Sequence, residues 1–438
     1  MYSFLSDIYN YFMNLSLARF IRLFWFFFIF DFLRYIVLEM IVITLDLLKK
    51  HSKKEDYSTA KNKLDIDQPL ISVLVPGKNE GKHIPELARS LHNQSYQNLE
   101  IIIVDDGSDD DTPLICRDLL RKGRIDKFFR NEVRGGKASA ANLALRYATG
   151  KYIVHLDADS HLYEDAIEKL IIPFYLDGKI GAVGGDIRIN NIDDSLAAAL
   201  QCIEYNKTIS VGRRMTSHLG ILRIISGAFG AFRADVLKRL GGWDIGPGLD
   251  GDLTVKYRKL GYNVYFEPQA VCFTNSPTSF KKLAKQRYRW NRSMVRFRFR
   301  KHRDTYFPHA NFSLLNLFSF LDNIIFNFVL NINWWIYIFD ILFTYNYMFK
   351  YIFGINYFLY IMSNYLQFGV NLLLAPNKKV RQRELKLLIY IPIMPFYTGL
   401  YLRVVRSYAY FMELFFKKSY EDKWNPWKVS RKARDEGL

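Results

Sequence analysis

The stretch "HLDADS" sets Asp157 and Asp159 two residues apart at the end of an apolar run. Residues two apart on a strand point the same way, so both carboxylates can approach one hard divalent cation. Mg2+ or Mn2+ takes only one or two protein carboxylates and leaves its other positions to water and phosphate oxygens. A cation held there would offset negative charge building on a diphosphate leaving group. The alternative is a solvated acidic turn, and the DxD pattern alone arises often by chance. "VDDGSDDDT" places Asp105 and Asp106 beyond another apolar run, on a Gly-containing turn. A carboxylate there can accept a hydrogen bond from a nucleobase imide or a ribose hydroxyl, or simply serve an Asp-Gly turn. A third pair, Asp250 and Asp252, lies in the Gly/Pro-rich "GGWDIGPGLDGDLT" ahead of a helical pattern. One carboxylate beside an acceptor hydroxyl can take its proton as general base. Asp252 reads better as a cap of the following helix, where Asp is favoured.

The run "KQRYRWNRSMVRFRFRKH", Lys285 to His302, mixes cations with aromatics. Gln286, Arg289 and Trp290 fall at i, i+3 and i+4, one face of a helix. An indole offers a sugar ring a flat apolar platform, and an arginine can clamp phosphate as a fork. Further along, Trp290, Met294 and Phe297 form one stripe and Arg289, Arg292, Arg296 and Arg300 another. That is the pattern of an amphipathic helix at a membrane surface, with the arginines at headgroup level. The alternation from Arg296 to Arg300 also fits a strand.

The elements that must position these residues are those of an α/β domain. "ISVLVPG", "LEIIIVDDGS" and "KYIVHLDADS" are short apolar runs ended by turn residues, as buried parallel strands should be. "HIPELARSLHNQ" and "ASAANLALRYATG" have helical spacing between them. Strand–helix–strand repetition predicts a mostly parallel sheet with right-handed crossovers, and ligands then sit at the carboxyl ends of its strands. Two of those ends carry the paired acids.

The totals separate this middle from its flanks. The chain has 438 residues and a formal charge of +18, with half its residues apolar. That charge suits a nucleic-acid binder or a protein seated on an anionic cytoplasmic leaflet. Cys116, Cys202 and Cys272 are far apart with no CxxC pair, so neither a disulfide framework nor a structural zinc site is indicated. The division expected is as follows: residues 1–48, an amphipathic helix and then a span over Phe24–Leu48; 49–68, a polar linker rich in lysine; 69–293, the α/β domain; 294–416, interfacial and membrane helices; 417–438, a cytosolic tail. Leu314–Tyr345 and Tyr351–Ala375 are long enough to span a bilayer, and Lys386–Phe416 can span, bend back or lie on the surface. Asp31, Arg34, Glu39, Asp322 and Asp340 interrupt these stretches, and charges at such depth face protein or water rather than lipid. Lysine- and arginine-rich connections place the α/β domain on the cytosolic side.

Four motifs stand in one order: "VDDGS", "DAD", a "GGW…D" loop and "QRYRW" as QxxRW. Together, flanked by apolar segments, they resemble the membrane-integrated family 2 glycosyltransferases, which include cellulose, chitin, hyaluronan and poly-N-acetylglucosamine synthases. The resemblance is carried by Ile71 to Trp290 and extends to the flanks only as architecture. It implies a cytosolic GT-A domain that uses a divalent metal, Mg2+ or Mn2+, and a UDP-sugar, inverts the anomeric centre and extends a polysaccharide through the membrane. By position it implies Asp105 or Asp106 at the uridine, with Lys78 or Asn79 nearby and Lys137 near the nucleotide. Asp157 would meet the nucleotide end and Asp159 the metal. Ser226 and Gly227 in "SGAFGAFR" match the loop beside the acceptor, Asp250 the catalytic base, and Gln286, Arg289 and Trp290 the diphosphate and terminal acceptor sugar. In the tail, "WNPWKVSRK" loosely resembles a gating loop, through Trp424 and Arg431.

Two departures stand out. Leu249 replaces the acid that precedes the family's base, and Gly248 replaces its threonine. Losing that charge leaves the acceptor's identity open. A non-processive relative acting on a membrane lipid shares QxxRW-like signatures. A membrane-anchored RNA-binding protein would explain the basic run and not the acids at two strand ends. The expected partners are therefore a nucleotide sugar, a polysaccharide or oligosaccharide acceptor, the lipid bilayer and a possible secretion partner, and not nucleic acid.

Overall fold

The structure, a computed structural model, describes residues 16–52, 54–245, 248–308, 312–421 and 426–435, together with Ser6, Asn10, Met13 and Asn14. The amphipathic helix expected over the first ~20 residues lies largely outside the described residues, as does Trp424.

Eight strands form one mixed sheet: β1 (Ile71–Gly77), β2 (Leu99–Asp105), β3 (Lys127–Arg130), β4 (Tyr152–Leu156), β5 (Ser160–Leu162), β6 (Ile180–Ile189), β7 (Phe229–Arg233) and β8 (Asn263–Thr274). Their order is β3-β2-β1-β4-β7-β6-β8-β5. β3, β2, β1 and β4 run parallel to one another, as do β6 and β8, whereas β7 is antiparallel to β4 and β6 and β5 to β8. The first strands are apolar without alternation because helices cover both faces; Val73, Leu74 and Val75 of β1 are fully buried. The chain moves outward from β1 to β2 and β3, then returns to place β4 on the other side of β1. The carboxyl ends of β1 and β4 therefore flank the switch point of the sheet, where an α/β fold leaves its crevice.

The polar stretch read as a linker is a helix over Lys54–Asp67. Its Ala60 and Leu64, four apart, are buried in the domain core, and its Lys61 pairs with Glu168. One apolar stripe of two residues suffices to dock an otherwise charged helix.

The basic run is helical, Phe280–Val295 continuing as a wider π-type turn over Arg296–Lys301, so the strand alternative falls. Most of its arginines face protein. Arg292, Arg296 and Arg298 are buried. Arg298 donates to the Arg223 carbonyl at 3.0 Å, Arg296 to that of Ile245 at 3.4 Å, and Arg292 to that of Lys418. Arg300 pairs with buried Glu413 at 2.7 Å. Guanidiniums with several donors each satisfy carbonyls at loop ends that no ladder reaches, and the run fastens the domain to the helices after it.

Among the described residues, two helical stretches are long and apolar enough to cross a membrane by length and composition, Leu314–Thr344 and Lys378–Phe416. The second is interrupted by a tighter turn over Lys386–Ile393 that contains Pro392. The helix Phe349–Leu373 is 25 residues long and buries Asn356, Asn364, Gln367 and Asn371. The charges in the N-terminal apolar stretch face protein: Arg34 and Glu39 are buried, Arg34 pairing with Asp322 at 2.5 Å, and Tyr360 donates to Asp31 at 2.5 Å.

A buried ionic knot joins the sheet to these helices. Arg188 of β6 donates to Asp186 at 2.8 Å and to both oxygens of Glu384 at 2.8 Å, and Asn206 adds a bond to Glu384 at 3.0 Å. Removing one member of such a pair strands a buried charge, at a cost of roughly 3–5 kcal/mol. Denaturant unfolding of Glu384→Ala in detergent should show a loss of that order. Lys386→Ala, which deletes an exposed pair with Asp193, should stay within about 1 kcal/mol of the parent.

Candidate active site

The loops that follow β1 and β2 are knitted into one floor. Lys78 donates to the Gly107 carbonyl at 2.6 Å and meets Asp109 at 3.1 Å. The Asn79 side chain accepts from the Asp109 N–H at 2.9 Å, and its own N–H reaches the Ser108 hydroxyl at 2.8 Å. Asp105 accepts from the Ser108 N–H at 2.9 Å, which realises the turn chemistry of the motif. Asp106 accepts from the N–H groups of Gly135 and Gly136, each at 2.8 Å, and from Asn131 at 3.0 Å. Those N–H groups lie just ahead of the helix Lys137–Tyr147, so Asp106 fastens the start of that helix to the end of β2.

Across the switch point stands the acidic pair. Asp157 and Asp159 follow β4, and Lys137 donates to Asp157 at 2.5 Å. Thr274 of β8 reaches Asp159 at 3.5 Å. Burial first and the Asp157 charge second push the Asp159 carboxyl up to about 6. Glu80, just beyond β1, is pushed up to about 7 by burial and by the charges of Asp159 and Asp157, so it faces the same pair.

The third acid arrives from a separate part of the chain. The helix Leu249–Lys259 begins earlier than the sequence pattern suggests, with Gly248 ahead of it at φ 92°. Asp250 and Asp252 thus both lie in its first turn, and Asp252 is no cap. Its carboxylate instead pairs with His302 at 2.7 Å and Lys301 at 2.9 Å, which hold it well below the usual range despite burial. Asp250 turns the other way, against Gly227: a Cβ on Gly227 would stand 2.2 Å from its Oδ1. Burial pushes the Asp250 carboxyl above its ordinary range, opposed by Lys137 and by the Gly227 N–H. Burial alone would lower the Lys137 ammonium, yet Asp157, Asp250 and Asp159 together hold it above the usual lysine value. One cation is shared by all three acids.

Two further contacts fix the Ser226–Gly227 loop. His155 of β4 is buried and pushed down to about 4 by burial and by Lys137, so it is neutral near pH 7. Its Nδ1 lies 2.5 Å from the Gly227 carbonyl, which only accepts, and therefore carries the proton. Thr254 accepts from the Ile225 N–H at 2.9 Å and donates to the Asp250 carbonyl at 2.7 Å. The tryptophan of "GGW", Trp243, is buried structure, exchanging two hydrogen bonds with Asn142 at 2.9 and 2.7 Å.

Gln286, Arg289 and Trp290 share the helix Phe280–Val295. Gln286 accepts from Gln201 at 3.2 Å, and exposed Trp290 carries the Arg287 guanidinium 4.5 Å from its ring centre. The contact with the Asp250 helix is made one turn and two turns later, by Ser293 and Phe297 against Gly248 and by Phe297 against Gly251. Arg431 is not brought to the acids: it projects from the helix Trp427–Asp435 and pairs with Asp435 at 3.9 Å.

Sequence reasoning passed over Glu80, His155, Thr254 and Arg213. His155 stands two residues before Asp157, the strand alternation that joined the acid pair to one face, and could have been found that way. Arg213, whose charge also acts on Asp250, comes from the helix Gly212–His218 and has no local signal.

Asp159 and Asp157 fit a divalent cation on electrostatic grounds, since Asp159 is buried beside a like charge and a cation would relieve both penalties. Among the described residues no three His, Cys, Asp or Glu side chains form a cage, which leaves the sparse coordination that Mg2+ and Mn2+ accept.

Comparison with known proteins agrees with this geometry. Residues 72–241 match the glycosyl transferase family 2 profile. The poly-beta-1,6-N-acetyl-D-glucosamine synthase of Staphylococcus epidermidis is 36% identical over 222 residues, 50% of this chain and 53% of that protein. The synthase of the same name from Staphylococcus aureus is 33% identical over 223 residues, with 50% and 53% covered. The chain thus spans about half the length of the curated relatives it matches. A mannosyltransferase from Pyrobaculum calidifontis, solved in complex with GDP-Man and Mn2+, superposes with a TM-score of 0.54 at 21% identity, covering 87% of this chain and 99% of its own, and so shares the fold. Residues 72–241, which carry the acids at the ends of β2 and β4, are a family 2 glycosyltransferase domain.

Proposed function

We propose that the chain is an inverting glycosyltransferase that moves a sugar from a UDP-sugar to a growing β-linked polysaccharide at the cytosolic face of a membrane. What supports this is the convergence of acids on Lys137, which pairs with Asp157 of the β4 end at 2.5 Å while the charges of Asp159 and of Asp250, from the Leu249–Lys259 helix, also favour its ammonium. In this reading Asp159 as metal ligand and Asp250 as general base act on either side of Lys137. The relatives' name favours N-acetylglucosamine as the sugar.

In this reading Asp105, Asp106, Lys78 and Asn79 form the nucleoside floor, and Asp157 meets the nucleotide through Lys137. A divalent cation held by Asp159 would neutralise charge on the diphosphate. Asp250 takes the proton of the acceptor hydroxyl while that oxygen bonds to the anomeric carbon and the carbon–diphosphate bond breaks on the opposite face. A burial-raised carboxylate is the stronger base for that step. Ser226 and Gly227 bound the acceptor, and Gln286, Arg289 and Trp290 supply its terminal platform and the diphosphate clamp. Exposed Ile336, Phe343, Phe358, Leu366, Phe411 and Phe415 on the flanking helices give the lipid-facing surface that a multi-pass membrane seat requires. Passage of the product through those helices, with or without a secretion partner, belongs to the same proposal.

Two outcomes check it. Asp250→Asn should lower transfer of radiolabelled sugar from UDP-N-acetylglucosamine by about 10²–10⁴-fold while UDP still binds. By differential scanning fluorimetry, Mn2+ should raise the unfolding temperature of the parent and leave that of Asp159→Asn unmoved. The metal-free Asp159→Asn protein should be the more stable of the two near pH 7: an acid whose folded pKa is raised costs stability increasingly as pH climbs from its ordinary value toward the folded value, about 6 here, and in full above it.

A further inference from the structure

The segment Ile221–Ile225, which leads into Ser226 and Gly227, lies outside helix and strand, and side chains from other elements take its carbonyls. Ser319 donates to Ile221 at 3.0 Å, Arg258 to Leu222 at 3.1 Å and Arg298 to Arg223 at 3.0 Å. The segment's own cation, Arg223, pairs with Asp322 at 3.4 Å. Asp322 stands on the helix Leu314–Ile324, inside the apolar stretch Leu314–Thr344, and its other oxygen takes Arg34 from the N-terminal apolar stretch at 2.5 Å. The Arg34 guanidinium also lies 3.7 Å from the centre of the Phe326 ring, which fixes its direction. One largely buried carboxylate from the C-terminal apolar stretch therefore separates two guanidiniums, Arg34 from the N-terminal apolar stretch and Arg223 from the loop before Ser226.

We propose that Asp322 is a positioning residue that sets the Ser226–Gly227 loop against Asp250, and through it the acceptor hydroxyl. The inference rests on the reading of Asp250 as the base. Without the carboxylate, Arg34 and Arg223 repel across a poorly solvated gap. Arg223 must then withdraw, carrying with it a segment only a few residues from Gly227. Gly227 has no room on the side of Asp250, where an added Cβ would stand 2.2 Å from Oδ1. The donor half of the site hangs on β1, β2 and β4 and meets the loop only at His155 and at the Asp157 N–H, which donates to the Ala228 carbonyl at 3.3 Å; the Arg223–Asp322 pair touches none of those strands, so the effect falls mainly on the acceptor.

The full chain in detergent, with UDP-N-acetylglucosamine and Mn2+, offers two readouts: UDP released without acceptor, and sugar transferred to a β-linked N-acetylglucosamine oligosaccharide. Asp322→Asn should raise the acceptor KM about tenfold, leave donor KM and acceptor-free UDP release within about twofold, and be partly rescued by Asp322→Glu. Arg223→Met, at the more accessible end of the triad, should give the same acceptor-selective rise with its unfolding temperature unchanged, and decides the matter if Asp322→Asn does not fold. An unchanged acceptor KM in Arg223→Met, or an equal fall of both readouts, overturns the inference while leaving the function standing. A parent protein inert in both readouts overturns the function, and the inference with it.

Discussion

Negative charge is in excess at the carboxyl ends of β1 and β4, and one ammonium group holds it together. Asp157, Asp159 and Asp250 all act on Lys137, and Glu80 looks onto the first two. Such a site is unfavourable in isolation, because each buried carboxylate raises the cost of ionising the next. It persists because a whole domain's packing is available to offset the penalty. The N–H groups just ahead of the helix Lys137–Tyr147 are taken internally by Asp106.

Around that centre the supporting contacts are graded by distance from the chemistry. His155 holds the Gly227 carbonyl, Thr254 joins the same loop to the Asp250 helix, and Phe297 fills the space that glycines at 248 and 251 leave beneath it. Burying an aromatic of that size is worth roughly 1.5–3 kcal/mol, enough to hold a helix start in place. The replacement of the family's acid and threonine by Leu249 and Gly248 has a local meaning here. Gly248 takes the left-handed backbone that starts the helix, and Leu249 packs on the domain core instead of facing a substrate.

Much of this was legible in the order of residues. The α/β pattern and the strands ending in "VDD" and "DAD" follow from apolar runs and turn residues, whereas the grouping of Asp157 with Asp250 came only from the resemblance that the motif order carries. The failures share one cause, the reach of long basic side chains. Arg292, Arg296 and Arg298 look like headgroup anchors because their periodicity records a face and not what covers it. Asp252 looks like a cap because its partners, Lys301 and His302, lie some fifty residues away in a run read for another purpose. Lys54–Asp67 looks like a linker because Ala60 and Leu64 are too few to register as a stripe. Glu80 and Arg213 act on the site through space, and one-dimensional spacing carries no trace of that.

The knot of Arg188, Asp186 and Glu384 has a practical meaning for anyone handling the protein. β6 is interior to the catalytic sheet, yet its arginine is neutralised partly by a carboxylate almost two hundred residues downstream. A water-soluble fragment trimmed after the sheet would retain Arg188 and lose Glu384, exposing an uncompensated guanidinium in the middle of its own interior. The sheet and the apolar helices that follow it are consequently joined in their interior, and cutting between them would open that core.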